Sequence, residues 1–208
     1  MSLEEFSQMK SPRVIKSHAP SNLLLGMSEN SDIIPGVKII VISRNPLDSC
    51  VSRYYHAFNP HKLGWTFPAW AALWLSGNSS YGSWFHWVRD WRERSRRNLD
   101  QILWVQYEDM KKNPREEIEK IRLFLNIASD DDRLVQRVFE GSTFDSMKKQ
   151  SMKESSKERS GDFLGHLRKG IAGDWRNHFT DEIKKEFIDK FDRELEGTGL
   201  VYDFGVAV

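Results

Sequence analysis

The stretch Val37-Lys38-Ile39-Ile40-Val41-Ile42-Ser43-Arg44-Asn45-Pro46 decides the fold class. Residues 37–42 are nearly all apolar and β-branched, as expected for a strand covered on both faces of a parallel sheet. Ser43-Arg44-Asn45 turns the chain, and Pro46 suits the first turn of a helix, where its missing N–H costs nothing. That helix should continue through Asp48, Val51, Ser52, Tyr54 and Tyr55. Strand, short turn and helix make half of a βαβ unit, so the chain reads as α/β.

Downstream, aromatic residues dominate. Phe67, Trp70, Leu73 and Trp74 recur at helical spacing, as do Trp84, Trp87, Val88 and Trp91. An Arg-rich polar stretch, 92–97, should separate these helices from a second strand over 102–107. Asn113-Pro114 opens a helix whose Ile118, Ile121, Phe124 and Leu125 form a buried stripe, and Leu134, Val135 and Val138 mark another. Residues 148–169 carry seven basic side chains against three acidic ones and many serines, which reads as a mobile surface loop. Thr180 caps a last helix, with Asp181 and Glu182 at its positive end and Ile183, Phe187 and Phe191 facing inward. Upstream, residues 13–18 read as a short strand closed by Ala19-Pro20.

At 208 residues the chain is long enough to bury a proper core, and 39% hydrophobic with 29% charged residues excludes disorder and fibrous repeats. Net charge is +1, from 31 basic and 30 acidic residues, which argues against a general nucleic-acid binder. Cys50 is the only cysteine, so no internal disulfide forms and no thiolate zinc site is expected. The six histidines lack metal-ligand spacing, and no metal is expected. The start, Met1 to Phe6, is acidic and unlike a signal peptide, and no stretch has the ~20 apolar residues of a membrane span. The expected setting is cytoplasmic, with no membrane partner.

Ligands of open α/β sheets bind beyond the carboxyl ends of the strands. His18 follows the first expected strand and Arg44 the next. Arg44 would sit by a helix N-terminus, where backbone N–H groups favour an anion, and its planar fork fits phosphate. Ser52 lies farther along that helix. From local pattern alone, this pair reads equally well as a surface arginine and an ordinary helix serine. His166-Leu167-Arg168-Lys169-Gly170 is a second cluster, in which two cations beside a glycine let side chains and bare backbone approach a phosphate. Gly173-Asp174-Trp175 follows at a fixed offset.

Arg44-Asn45-Pro46-Leu47-Asp48, then Val51-Ser52-x-Tyr54-Tyr55-His56, resembles the 3′-phosphate-binding segment of the cytosolic sulfotransferases. Arg168-Lys169-Gly170-x-x-Gly173-Asp174-Trp175 resembles their C-terminal signature, and Lys16-Ser17-His18-Ala19-Pro20 their Lys-x-His-x-Pro segment. Tyr81-Gly82-Ser83-Trp84 and Tyr107-Glu108-Asp109-Met110 match in order and spacing, and the resemblance covers about residues 10 to 195.

The resemblance implies a P-loop-like parallel sheet flanked by helices. It also implies sulfuryl transfer from 3′-phosphoadenosine 5′-phosphosulfate (PAPS) to a hydroxyl or amine of a small acceptor. The product nucleotide is 3′-phosphoadenosine 5′-phosphate (PAP). His18 matches the general base; a positioned base contributes typically ~10²–10⁴-fold. Arg44 and Ser52 match the 3′-phosphate ligands, completed by Arg168, Lys169 and Gly170. Tyr107, Ser142, Thr143 and Phe144 match the adenine side, with His166 and Leu167 standing where an aromatic residue and Met are common. Lys16 and Ser17, beside His18, would face the acceptor. Phe67, Trp70, Trp74 and Trp84, within the aromatic segment from Phe58 to Trp91, are the candidate lining of an apolar acceptor pocket.

The resemblance has gaps. The family's aromatic-Pro-Lys-x-Gly-Thr-Thr-Trp loop, which wraps the 5′-phosphosulfate, has no counterpart among these residues. Residues 1–208 are therefore expected to form a single, N-terminally truncated sulfotransferase domain without its first strand and that loop. The loop's Lys neutralises charge on the bridging oxygen, so an inactive fragment is one expectation. The family's C-terminal dimer motif also fails to match, because Asp181 follows Thr180 and Lys185 stands at the Glu position. The competing reading is a non-catalytic module that binds 3′-phosphoadenosine and a partner.

Overall fold

The structure, a computed structural model, describes residues 8–23, 35–56, 61–128, 133–155 and 168–205, with the side chains of 153–155 excepted. Its sheet is β1 (Ile39–Ser43) paired in parallel with β2 (Ile102–Gln106), in the register Ile39 to Ile102 through Ser43 to Gln106. Parallel strands need a long crossover, supplied here by α1 (Pro46–Tyr54), α2 (Phe67–Ser76) and α3 (Trp84–Arg97). After β2 come α4 (Tyr107–Lys112), α5 (Pro114–Phe124), α6 (Leu134–Gly141), α7 (Phe144–Ser155) and α8 (Asp181–Leu195), with a 3₁₀ turn at Asp174–Asn177.

Local chemistry sets the helix starts. The side chains of Asn45, Thr66, Ser83 and Thr180 each accept a backbone N–H from the first turn of α1, α2, α3 and α8. The main core joins α1, α2, α3 and α8, where Leu47, Val51, Phe85, Val88 and Phe187 are fully buried. Trp74 stacks on Phe187 with centroids 5.4 Å apart, which ties α2 to α8. A smaller cluster of Val41, Trp91 and Ile102 seals one face of the sheet against α3.

Four sequence expectations need correction. Residues 13–18 are not a strand: an isolated extended segment has no ladder to satisfy its backbone, and Val14 is 90% exposed. Strand β1 is not covered on both faces, since side chains alternate along it and Ile42, opposite the sealed face, is 60% exposed. The Arg-rich stretch 92–97 is not a separator but the last turns of α3, whose charges lie on its polar face. Of the supposed loop, 148–155 belongs to α7, capped by Thr143 Oγ1 accepting the Ser146 N–H at 3.3 Å. Residues 156–167 lie outside the described residues.

Candidate active site

Arg44 leaves the carboxyl end of β1 and is gripped from three directions. Its guanidinium lies 4.4 Å from the centroid of the Tyr107 ring, at the start of α4. Its Nη2 donates to the Ile171 carbonyl at 2.9 Å and lies 3.8 Å from Asp48 Oδ2. Its Nε is buried with no hydrogen-bond partner among the described residues. A buried donor without an acceptor is costly, and an incoming anion would relieve that cost. Burial raises the Tyr107 phenol, opposed by Arg44, and also raises the Glu108 carboxyl, whose Oε1 accepts the Asn45 N–H at 2.9 Å.

The segment 168–175 is folded onto α1. Gly170 and Gly173 have φ of +66° and +85°, a region that disfavours any side chain. A Cβ at Gly170 would stand 2.2 Å from the Phe144 ring, so Phe144 and the Arg168-Lys169-Gly170 run are in contact. The Asp174 side chain is 0% exposed and accepts from Lys169 Nζ at 2.7 Å and from Asn177 Nδ2 at 2.9 Å, with Arg168 Nη2 on its other oxygen. Burial alone would raise this carboxyl, but the bonds from Lys169, Asn177 and Arg168 outweigh it and hold it well below the carboxylate range. The Arg168 guanidinium also lies 4.9 Å from the Tyr55 ring, just past α1.

Arg44, Tyr107, Phe144, Arg168, Lys169 and Gly170 are thus linked through these contacts. Ser52 is half-buried on α1, and Ser142 Oγ donates to the Phe139 carbonyl at 3.2 Å. His166 and Leu167 lie outside the described residues, as does Phe58. Lys16, Ser17 and His18 are exposed and non-helical. What fixes their course is the next residue: the Ala19 carbonyl accepts the indole N–H of Trp87 at 3.0 Å and of Trp91 at 3.3 Å. The Ser17 hydroxyl accepts the Ala19 N–H at 3.0 Å, and the His18 ring packs 4.9 Å from Tyr81.

The aromatic candidates divide. Trp70 and Trp74 are buried in the main core, Trp70 Nε1 donating to the Cys50 carbonyl at 3.1 Å. Phe67 packs on Tyr54, His178 and Phe179, and Trp84 on Trp74, Phe85 and Tyr202.

Sequence reasoning assigned no role to Asp48 and Asp174, although both stand inside the matched motifs. An Asp in a first helical turn reads as a partner of the helix dipole. The only signal for more was its place four residues after Arg44. No helix among the described residues is long and apolar enough to cross a membrane.

Comparison with known proteins bears on family and fold. The family described as Sulfotransferase domain matches residues 1–199. Sulfotransferase 1B1 of Mus musculus is 34% identical over 211 residues, covering 96% of this chain and 67% of that protein. A solved structure of mouse sulfotransferase SULT7A1 complexed with PAP superposes with a TM-score of 0.67 at 33% identity, over 78% of this chain and 59% of that one. Retinol dehydratase, solved with androsterone and PAP, shares the fold at a TM-score of 0.77 and 24% identity, over 96% and 58%. The chain therefore spans about two thirds of the curated relative and less of the solved ones.

Proposed function

The chain belongs to the sulfotransferase domain family, and on that premise we propose that it binds PAPS and transfers its sulfuryl group to a hydroxyl or amine of a small acceptor. The observation that carries this reading is the placing of Arg44: one side chain joins the end of β1, the Tyr107 ring and the 168–175 segment. The donor set fits a phosphate. Arg44 has a buried Nε to spare, Arg168 and Lys169 are held together on Asp174, and Gly170 lacks the Cβ that would collide with the Phe144 ring.

When bound, PAPS supplies an activated sulfuryl group. The residues of this chain bind and orient it. Arg44, Ser52, Arg168, Lys169 and the Gly170 backbone would take the 3′-phosphate, with Tyr107 and Phe144 on the adenine side. Ser142 and Thr143, and His166 and Leu167, complete that reading. His18 would accept the acceptor's proton on an imidazole nitrogen, the part of a general base. Lys16 and Ser17 flank it. Phe67 and Trp84, which are only half-buried, are the better candidates for an acceptor wall than Trp70 and Trp74. The same reading carries a cytoplasmic location.

A thermal melt with and without PAP tests the first half, with Arg44→Ala as control. Ligand at ~100 times its dissociation constant should add about 2.7 kcal/mol of stability, absent in the variant. No shift in either protein would sink the nucleotide site. Transfer to a panel of phenol, steroid and amine acceptors tests the second half, and His18→Ala should abolish it. A second reading keeps the nucleotide and drops the turnover, favoured by the exposure of His18. It predicts a PAP-dependent shift with no transfer to any acceptor.

A further inference from the structure

Four polar groups converge on the wholly buried carboxylate of Asp174. Lys169 Nζ and Asn177 Nδ2 meet Oδ1 at 2.7 and 2.9 Å, while Arg168 Nη2 takes Oδ2 and His178 Nε2 lies 3.5 Å from it. The two cations themselves are part-exposed, at 26% and 46%. Two surface cations are thus tethered to one buried anion. Adjacent Arg and Lys side chains left free would repel each other and sample many rotamers. Here both are ordered in advance. One carboxylate cannot neutralise two cations, so the pair still presents net positive charge to solvent.

We propose that Asp174 is a positioning residue for the 3′-phosphate cradle. It acts through Arg168 and Lys169, fixing their heads side by side so that a phosphate meets them without reordering. The inference rests on the nucleotide reading above and adds a specific contribution to it. Asp174 does not touch the ligand.

The test is a double-mutant cycle read by calorimetric binding of PAP and of adenosine 5′-monophosphate, which lacks the 3′-phosphate. Asp174→Asn keeps the shape and removes the charge. PAP affinity should fall tenfold or more, while adenosine 5′-monophosphate binding changes less than twofold. In an Arg168→Ala/Lys169→Ala background, Asp174→Asn should weaken PAP no further. Unchanged or tighter PAP binding, equal losses for both nucleotides, or a full additional loss in that background would each overturn the proposal. If Asp174→Asn does not melt cooperatively, the Lys169 ammonium resonance of the wild-type chain decides instead. It should be protected from solvent exchange before PAP is added, and protection appearing only with PAP overturns the proposal. Failure of the nucleotide reading is recognisable separately, because the wild-type chain would then bind no PAP, and the proposal would fall with it.

Discussion

Asp48 accepts the backbone N–H of Trp175 at 3.0 Å, a hydrogen bond between residues 127 positions apart. The same carboxylate, 1% exposed, takes the Gly173 N–H at 2.6 Å and lies 3.8 Å from Arg44. One side chain in the first turn of α1 therefore stitches the C-terminal motif to the helix that follows β1. Asp48→Ala orphans the buried Trp175 donor and the part-buried Gly173 donor, each worth about 1–3 kcal/mol. The expected loss is about 3 kcal/mol of unfolding free energy in urea, together with the PAP-dependent shift. Retention of the shift at lowered stability would show that the stitch does not organise the cradle.

Gly170 should tolerate no side chain. Its φ of +66° and the 2.2 Å approach of a Cβ to the Phe144 ring act together. Gly170→Ala should cost about 2 kcal/mol. Adding Phe144→Leu relieves the collision but not the backbone strain, so melting temperature should recover only in part. Full recovery in the double variant would mean that the strain is immaterial.

Arginines of α3 hold the turn that follows α8. Arg96 donates to the Gly197 carbonyl at 2.9 Å and the Thr198 carbonyl at 2.6 Å, and Arg92 Nε to Thr198 at 3.2 Å. Each places positive charge near a helix C-terminus, where carbonyls lack intrahelical partners. Arg96→Ala should destabilise by about 2 kcal/mol in urea, and Arg96→Lys should restore little, since an ammonium cannot span both carbonyls in one plane. A loss below ~0.5 kcal/mol would place the pair among weak surface contacts.

Stability should decline in mild acid partly through His178. Burial lowers its imidazole from the usual 6.5; Asp174 opposes that shift and Arg168 and Lys169 reinforce it. The ring also packs on Tyr55 and Phe67. With the folded pKa depressed, the unfolded chain takes up the proton first, so stability falls as pH drops below about 6.5 and levels off below the folded value. His178→Phe keeps a ring and cannot titrate. Its melting temperature should fall less than that of the wild type between about pH 7.5 and 5.5. Equal falls would assign the acid sensitivity elsewhere.

Much of this was legible along the chain. Pro46 after an apolar run announced β1 and α1, and Thr180 with Asp181 and Glu182 announced α8, because these signals act within a few residues of themselves. The 148–155 helix was misread because basic and serine-rich composition suits a loop, while Lys and Gln also propagate a helix once Thr143 has capped it. The strand expected at 13–18 failed for the opposite reason. Strands depend on a partner that local sequence does not contain.

By itself, then, the sequence determined where α1 and α8 begin, that Phe187 and Phe191 face inward, and which ordered motifs carry cations, since periodicity, caps and spacing are local properties. Tertiary structure alone decided that Asp48 binds residues 173 and 175, that Arg44 rests on Tyr107 against Ile171, and that Asp174 gathers Arg168 and Lys169 onto a buried charge. The first two join chain segments 63 to 127 residues apart, and the third depends on burial. A carboxylate becomes a strong organiser only once packing has removed the water that would otherwise satisfy it.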